Sequence, residues 1–261
     1  MKVKVGLCQL MPVPEEPAAN AERILRCLDS GKADVYVFPE LFLTGYGADY
    51  TALREETESC LVTISEKCRE TDTAAAVSTP RYAGDRIYNS MAFMSPDGDV
   101  WYDKVHLANF GIYAETMFTP GERPASACMG SYHGMRFGMC ICYDIFFPEV
   151  LHGCSLNGAD VNVCVAASAV GSKPFLDKVV GARALENVSY LAYVNNTGPL
   201  NGLEMHGCSR GLDPFGDVIC ECGTEEWVSV FTADTDELAE ARSVRRHLTD
   251  FRDDVDWLGR E

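Results

Sequence analysis

A chain of 261 residues with 39 acidic against 22 basic side chains, a formal net charge of -17, presents a surface that repels phosphate backbones and anionic lipid. Nucleic-acid and membrane-surface partners are therefore disfavoured, and no window approaches the roughly 18 uninterrupted apolar residues of a membrane span. Hydrophobic residues at 47% and charged residues at 23% are ordinary globular usage, enough to bury a sizeable core.

The opening MKVKVGLCQLMPVP alternates Lys with Val and predicts a strand over 2–10. It has neither the apolar length nor the small-residue cleavage site of a signal peptide, so a cytoplasmic location is expected. Apolar residues at three-and-four spacing then predict a helix over 20–31, followed by a strand over 34–39 and a helix over 52–71. Strands are expected over 74–81, 88–96 and 100–107, the last two joined by the turn-like SPDGDV. A second alternation follows: strand 135–142, helix 148–158, strand 160–168, helix 174–188 and strand 190–197. Strands over 206–213 and 228–234, with the turn-like DPFGDVI between them, precede the charged ELAEARSVRRHLTDFRDD, a solvated helix or tail. Such a count suits two sheets with helices outside both, and the absence of repeats or a linker predicts a single domain over 1–261.

The 12 cysteines lie mostly inside apolar runs such as VNVCVAAS and GMCIC, where a thiol serves as a small hydrophobe. A reducing compartment would keep them as thiols, and without any CxxC spacing no metal site is expected. One thiol stands apart. In MRFGMCIC, Cys140 and Cys142 share a face while the strand lasts, so alternation cannot separate them. Cys142, however, is the last residue of the run, before Tyr143, Asp144 and the helix-opening Pro148-Glu149. A residue on a strand-to-helix turn projects into the crevice beyond the sheet edge, beside backbone N–H groups able to receive an oxyanion. A thiol there needs a base or a cation to become a nucleophile. None of the five histidines sits at a comparable strand end, but Glu40 in DVYVFPELFLTGYG and Lys104 in VWYDKVHLANFG do.

These three segments, FPELFLTGY, YDKVHLANFG and CYDIFFPE, resemble the motifs of the nitrilase superfamily of carbon-nitrogen hydrolases, in the family's order and with flanking likeness along nearly the whole chain. The resemblance implies a four-layer α-β-β-α sandwich and a catalytic triad of Glu40, Lys104 and Cys142. It also implies a second glutamate between the lysine and cysteine motifs, for which Glu115 is the candidate and Glu122, beyond the Pro-Gly, the rival. Amide hydrolysis through a thioester is the implied reaction, with no metal or organic cofactor. The CYD segment is closer to that of amidases than to the Cys-Trp-Glu of true nitrilases, so a small aliphatic amide or an N-carbamoyl compound is the expected substrate. Tyr113, Tyr143, Asp144, Phe146 and Asn195 are the expected substrate-binding residues. The family's usual homodimer would be made through helices 148–158 and 174–188 and the C-terminal tail. An acyltransferase on the same fold and a thiol-rich metal or redox binding protein are the alternatives.

Overall fold

The computed structural model describes residues 1–255, so the last residues of the expected 1–261 domain, 256–261, lie outside the described part. The first half of the chain runs β1 (Lys2–Gln9), α1 (Pro17–Asp29), β2 (Val35–Val37), α2 (Arg54–Thr71), β3 (Ala74–Ala83), β4 (Arg86–Met94) and β5 (Val100–Asp103). The second half runs β6 (Gly130–Tyr132), β7 (Met135–Ile141), α3 (Pro148–Leu156), β8 (Val161–Ala166), α4 (Lys173–Asn187) and β9 (Tyr190–Asn195). It closes with β10 (Thr197–Leu200), β11 (Leu203–His206), β12 (Arg210–Leu212), β13 (Val218–Glu221), β14 (Trp227–Asp234) and α5 (Thr235–Val244).

Two six-stranded sheets result, in the orders β14-β1-β2-β3-β4-β5 and β13-β12-β9-β8-β7-β6, with β10 and β11 forming a separate hairpin. Each sheet has a parallel centre, β1 to β3 and β7 to β9, made by two βαβ crossovers. The alternation read from the sequence sorts side chains between the layers. Val3, Val5, Leu7, Val35 and Val37 of the first sheet meet Phe137, Met139, Ile141, Val163 and Val165 of the second in one core. The opposite faces, with Cys8, Tyr36 and Phe38, lie under Ile24, Leu28 and Ile64 of α1 and α2, while Cys140, Cys164 and Tyr193 lie under Leu151, Leu176 and Val180 of α3 and α4. The expected α-β-β-α order is thus observed. Strands covered on both faces need continuous apolar runs, which is why β8 reads VNVCVA with every residue buried. Each fully buried Val, Leu or Phe of these layers contributes about 1.5–3 kcal/mol.

Gly138 shows how closely α3 approaches β7: a Cβ there would overlap the Asn162 amide oxygen and the Cys154 side chain. The predicted elements differ from those observed mainly at short strands. Strand β5 stops at Asp103 rather than 107, and β6 and the β10–β11 hairpin have no counterpart among the predicted elements. Strands of three or four residues carry too little alternation to stand out from a loop. The charged C-terminal segment begins as helix α5 and leaves it at Arg245.

Candidate active site

Strand direction gathers the polar groups at one end of the sandwich. Because β4 is antiparallel to β3 and β5 antiparallel to β4, β5 runs with β2 and β3, and its carboxyl end lies beside theirs. Glu40 follows β2, Lys104 follows β5 and Cys142 follows β7, the arrangement in which open α/β sheets hold their ligands. At two of these ends the chain leaves the sheet through a left-handed kink: Cys142 has φ 48° and Leu41, next to Glu40, has φ 51°. That region is costly for a side chain with a Cβ and persists where the surroundings enforce it. At Cys142 it opens a 3-10 turn over Cys142–Phe146. The strand register that pairs Cys140 with Cys142 therefore ends between them. Cys140 remains fully buried under α3 and α4, and Cys142 is partly exposed in a cleft.

Lys104 Nζ donates to Glu40 Oε1 and to Glu115 Oε1, each at 2.7 Å, with all three side chains removed from solvent. Glu40 is held further by Asn89 Nδ2 on Oε1 at 2.7 Å and by the Ala167 N–H on Oε2 at 2.8 Å. Glu115 accepts from the Ala108 N–H at 2.8 Å and from the Tyr46 hydroxyl at 3.3 Å. Its rival Glu122 lies on the surface, paired with Arg86. Burial alone would lower the Lys104 pKa, but Glu40, Cys142 and Glu115 around it reverse that, and the ammonium is held well above its ordinary range. Burial raises the Glu115 carboxyl, with Lys104 opposing. These directions disagree about the pair; the two 2.7 Å contacts to one nitrogen favour the ionised form. Burial pushes the Cys142 thiol well up, Glu40 adds to the shift, and Lys104 and Ser168 Oγ, 3.5 Å from the sulfur, oppose it. The resting sulfur thus carries its proton, and a base must remove it for attack.

Glu40, Glu115 and Cys142 line a cavity of about 30 Å³, walled by Tyr46, Phe110, Tyr113, Tyr143 and Phe146. A much larger cavity, about 640 Å³, lies between α2 and the β3–β5 edge and holds none of these groups. Chemistry rather than volume therefore picks the small cleft. Of the residues expected to bind substrate, Tyr113, Tyr143 and Phe146 are in its wall, whereas Asp144 and Asn195 are not. The side chains of both are engaged elsewhere, by backbone groups and, at Asp144, also by the Tyr102 and His106 side chains. Asn195 accepts from the Ser168 N–H at 2.8 Å and donates to the Ser168 and Gly207 carbonyls.

Asp144 accepts from the Tyr102 hydroxyl at 2.8 Å, the Ile141 N–H at 3.2 Å, and the His106 N–H and Nδ1 at 2.9 Å each. It ties the segment after Lys104 to the turn that begins at Cys142, and His106 completes the clamp by stacking on Phe147 with ring centroids 3.6 Å apart. An amide cannot accept on both sides, so Asp144→Asn is expected to destabilise the fold by about 3 kcal/mol. That corresponds to roughly 6–12 °C in Tm, read by thermal melting. An unchanged melting temperature would mean that the clamp carries no load.

Several residues at the site had no place in the sequence reading: Asn89, Tyr46, Ser168, Ser172 and Phe110. Asn89 did leave a trace, as an amide in a strand that is otherwise largely apolar, a place where a buried polar group needs a partner. Ser168, just past β8, left none. Among the described residues no group of three or more His, Cys, Asp or Glu is placed to hold a metal, and no helix is long and apolar enough to cross a membrane.

Two sheets between helix layers, with a thiol, an ammonium and carboxylates at their carboxyl ends, form the frame of an enzyme of the nitrilase superfamily. Residues 4–243 match the family described as carbon-nitrogen hydrolase, and the chain belongs to that family, whose members act on non-peptide carbon-nitrogen bonds. It is 32% identical over 257 residues to an (R)-stereoselective amidase of Pseudomonas sp., covering 96% of this chain and 92% of that protein. A mutant of the amidase from Nesterenkonia sp. AN1, in complex with butyramide, superposes with a TM-score of 0.78 at 25% identity over 94% of this chain and 96% of that one. The fold alone is shared with a CN-hydrolase superfamily protein from Xanthomonas campestris, at a TM-score of 0.84 and 22% identity over 98% of this chain and 99% of that one.

Proposed function

We propose that the protein hydrolyses small amides through a thioester on Cys142, with Glu40 as the proton carrier. The observation that carries this reading is the cleft lined by both the Cys142 thiol and the buried Glu40 carboxylate, the carboxylate anchored by an ammonium and a backbone N–H. Glu40 takes the Cys142 proton as sulfur attacks the carbonyl carbon, and returns it to the departing nitrogen, so that ammonia or an amine leaves as the carbon-nitrogen bond breaks. Water then enters, gives a proton to Glu40 and adds to the thioester. Collapse of that adduct breaks the carbon-sulfur bond, releases the carboxylic acid and returns a proton to the sulfur. Lys104 and the N–H of Tyr143 at the start of the turn are the oxyanion donors in this reading. Glu115 keeps Lys104 in place and ionised.

The experiment is ammonia release across short aliphatic amides, carbamoyl amines and nitriles. Turnover of the amides is the expected result, and silence with every amide overturns the reading. Hydroxylamine capturing the acyl group in preference to water throughout the series would favour the acyltransferase alternative. All twelve cysteines are thiols, which supports a reducing, cytoplasmic setting; retention of a disulfide in protein purified without reductant would contradict it. Leu156, Phe175 and Leu185 expose apolar surface on α3 and α4, which supports a homodimer through these helices, to be read by sedimentation. A monomer at micromolar concentration would end that part of the proposal.

A further inference from the structure

The cleft wall contains two carboxylates, Glu40 and Glu115, and no lysine or arginine. Lys104, the cation they share, is bonded to both at 2.7 Å, and its third N–H is the oxyanion donor of the reading above, which leaves none for the acyl chain. Other cations nearby in the chain are also engaged. Lys173, next to the cleft residue Ser172, is paired with Asp177 at 2.7 Å and lines a different cavity. Arg183 donates to the Ile145 carbonyl and to Glu186. What remains to meet the acyl part of a substrate is aromatic: Phe110, Tyr113, Tyr143 and Phe146, with the Tyr113 hydroxyl already bonded to Ser172 Oγ and the Ala169 N–H.

A carboxylate on the acyl chain would give up its water in such a site without gaining a partner, and would stand beside two groups of like charge. Resting on the amide-hydrolase reading above, we infer that the enzyme selects amides whose acyl portion is short and uncharged, and that it rejects ω-amides bearing a free carboxylate. The cavity of about 30 Å³ adds a limit on length, because anything beyond a few carbons requires the aromatic wall to move outward.

Two comparisons of neutral with anionic compounds test this. The first is kcat/KM for butyramide against succinamate, in which a carboxylate replaces a methyl, with the methyl ester of succinamate as the uncharged control of similar size. Succinamate is expected to fall by about a hundredfold or more while the ester recovers most of the loss. The second needs no turnover: alkylation of Cys142 by iodoacetamide against iodoacetate, followed by peptide mass spectrometry and normalised to a small free thiol. The neutral reagent is expected to be favoured by a similar factor. Comparable rates for the neutral and anionic reagents, or an ester as poor as succinamate, overturn the inference. Neutral-selective alkylation without hydrolysis of any amide would uphold the charge selectivity and overturn the reaction assigned above.

Discussion

Cys142→Ala is expected to abolish ammonia release, a loss of at least about 10⁴-fold, while the melting temperature stays close to that of the parent. The sulfur lies in the cleft, with Ser168 Oγ as its hydrogen-bond partner, so trimming it removes the attacking atom and little packing. Cys140→Ala is the internal control, because that thiol is fully buried under α3 and α4. It should cost about 1–2 kcal/mol of stability through the cavity it leaves, with turnover retained. Full activity in Cys142→Ala together with loss in Cys140→Ala would move the chemistry to Cys140. Cys142→Ser should be almost as inactive, since a hydroxyl is the weaker nucleophile and Glu40 would have to deprotonate a much weaker acid.

Lys104→Met should damage both activity and stability, and the pH dependence tells its two roles apart. The substitution keeps the length of the side chain but leaves Glu40 and Glu115 buried without their common cation. Breaking a buried pair in this way costs about 3–5 kcal/mol, and kcat should fall by about 10³-fold or more because the proposed proton carrier and the proposed oxyanion donor are both disturbed. The sign of the pH effect follows from the surviving carboxylates. Burial already raises Glu115 with Lys104 present, and removing the ammonium, which opposes that shift, raises its folded-state pKa further. An acid whose folded pKa is raised contributes its stability below the unfolded value, near 4.3 for Glu, and loses it as pH rises. The gap in Tm between the parent and Lys104→Met should therefore narrow as pH falls from about 7 to about 5. A gap independent of pH would mean that the ammonium does not hold Glu115 in the ionised form.

In the parent the same linkage works from the lysine side. Its pKa, held well above 10.5, supplies stability that is complete below that value and lost only at more alkaline pH. The cluster is thus built to stay charged through the neutral range. Asp144, Asn89, Asn195 and the Ala167 N–H then fix the elements around it, so that the groups at three strand ends keep one geometry. Removing any of these supports should reduce kcat more than it changes KM, because each holds a reacting group or its turn rather than the substrate.

Much of this was legible in the residues alone. Period-two and three-to-four apolar spacing located both βαβ alternations, because the layer a side chain enters is fixed by local geometry before any long-range contact forms. Glu40, Lys104 and Cys142 could be singled out because polar side chains at the ends of apolar runs are costly without partners, wherever the chain later carries them. The resemblance of their motifs to the carbon-nitrogen hydrolases extended this to Glu115 and to the four layers.

The rest was decided by tertiary contacts. Cys140 and Cys142 were equivalent by alternation, and although position in the run favoured Cys142, the physical separation came from the end of the strand at Ile141 and the positive φ at Cys142, a kink that no glycine announced. Asp144, close to the nucleophile in the chain, and Asn195, at the end of β9, were polar residues whose partners could not be read locally: Tyr102, His106, Ser168 and Gly207 come from other segments. Ser168, Ser172 and Phe110 entered the cleft through loop paths without periodicity. Spacing along a chain determines which face a residue occupies, but which buried groups find one another depends on how two sheets are stacked, and that is settled only when the core closes.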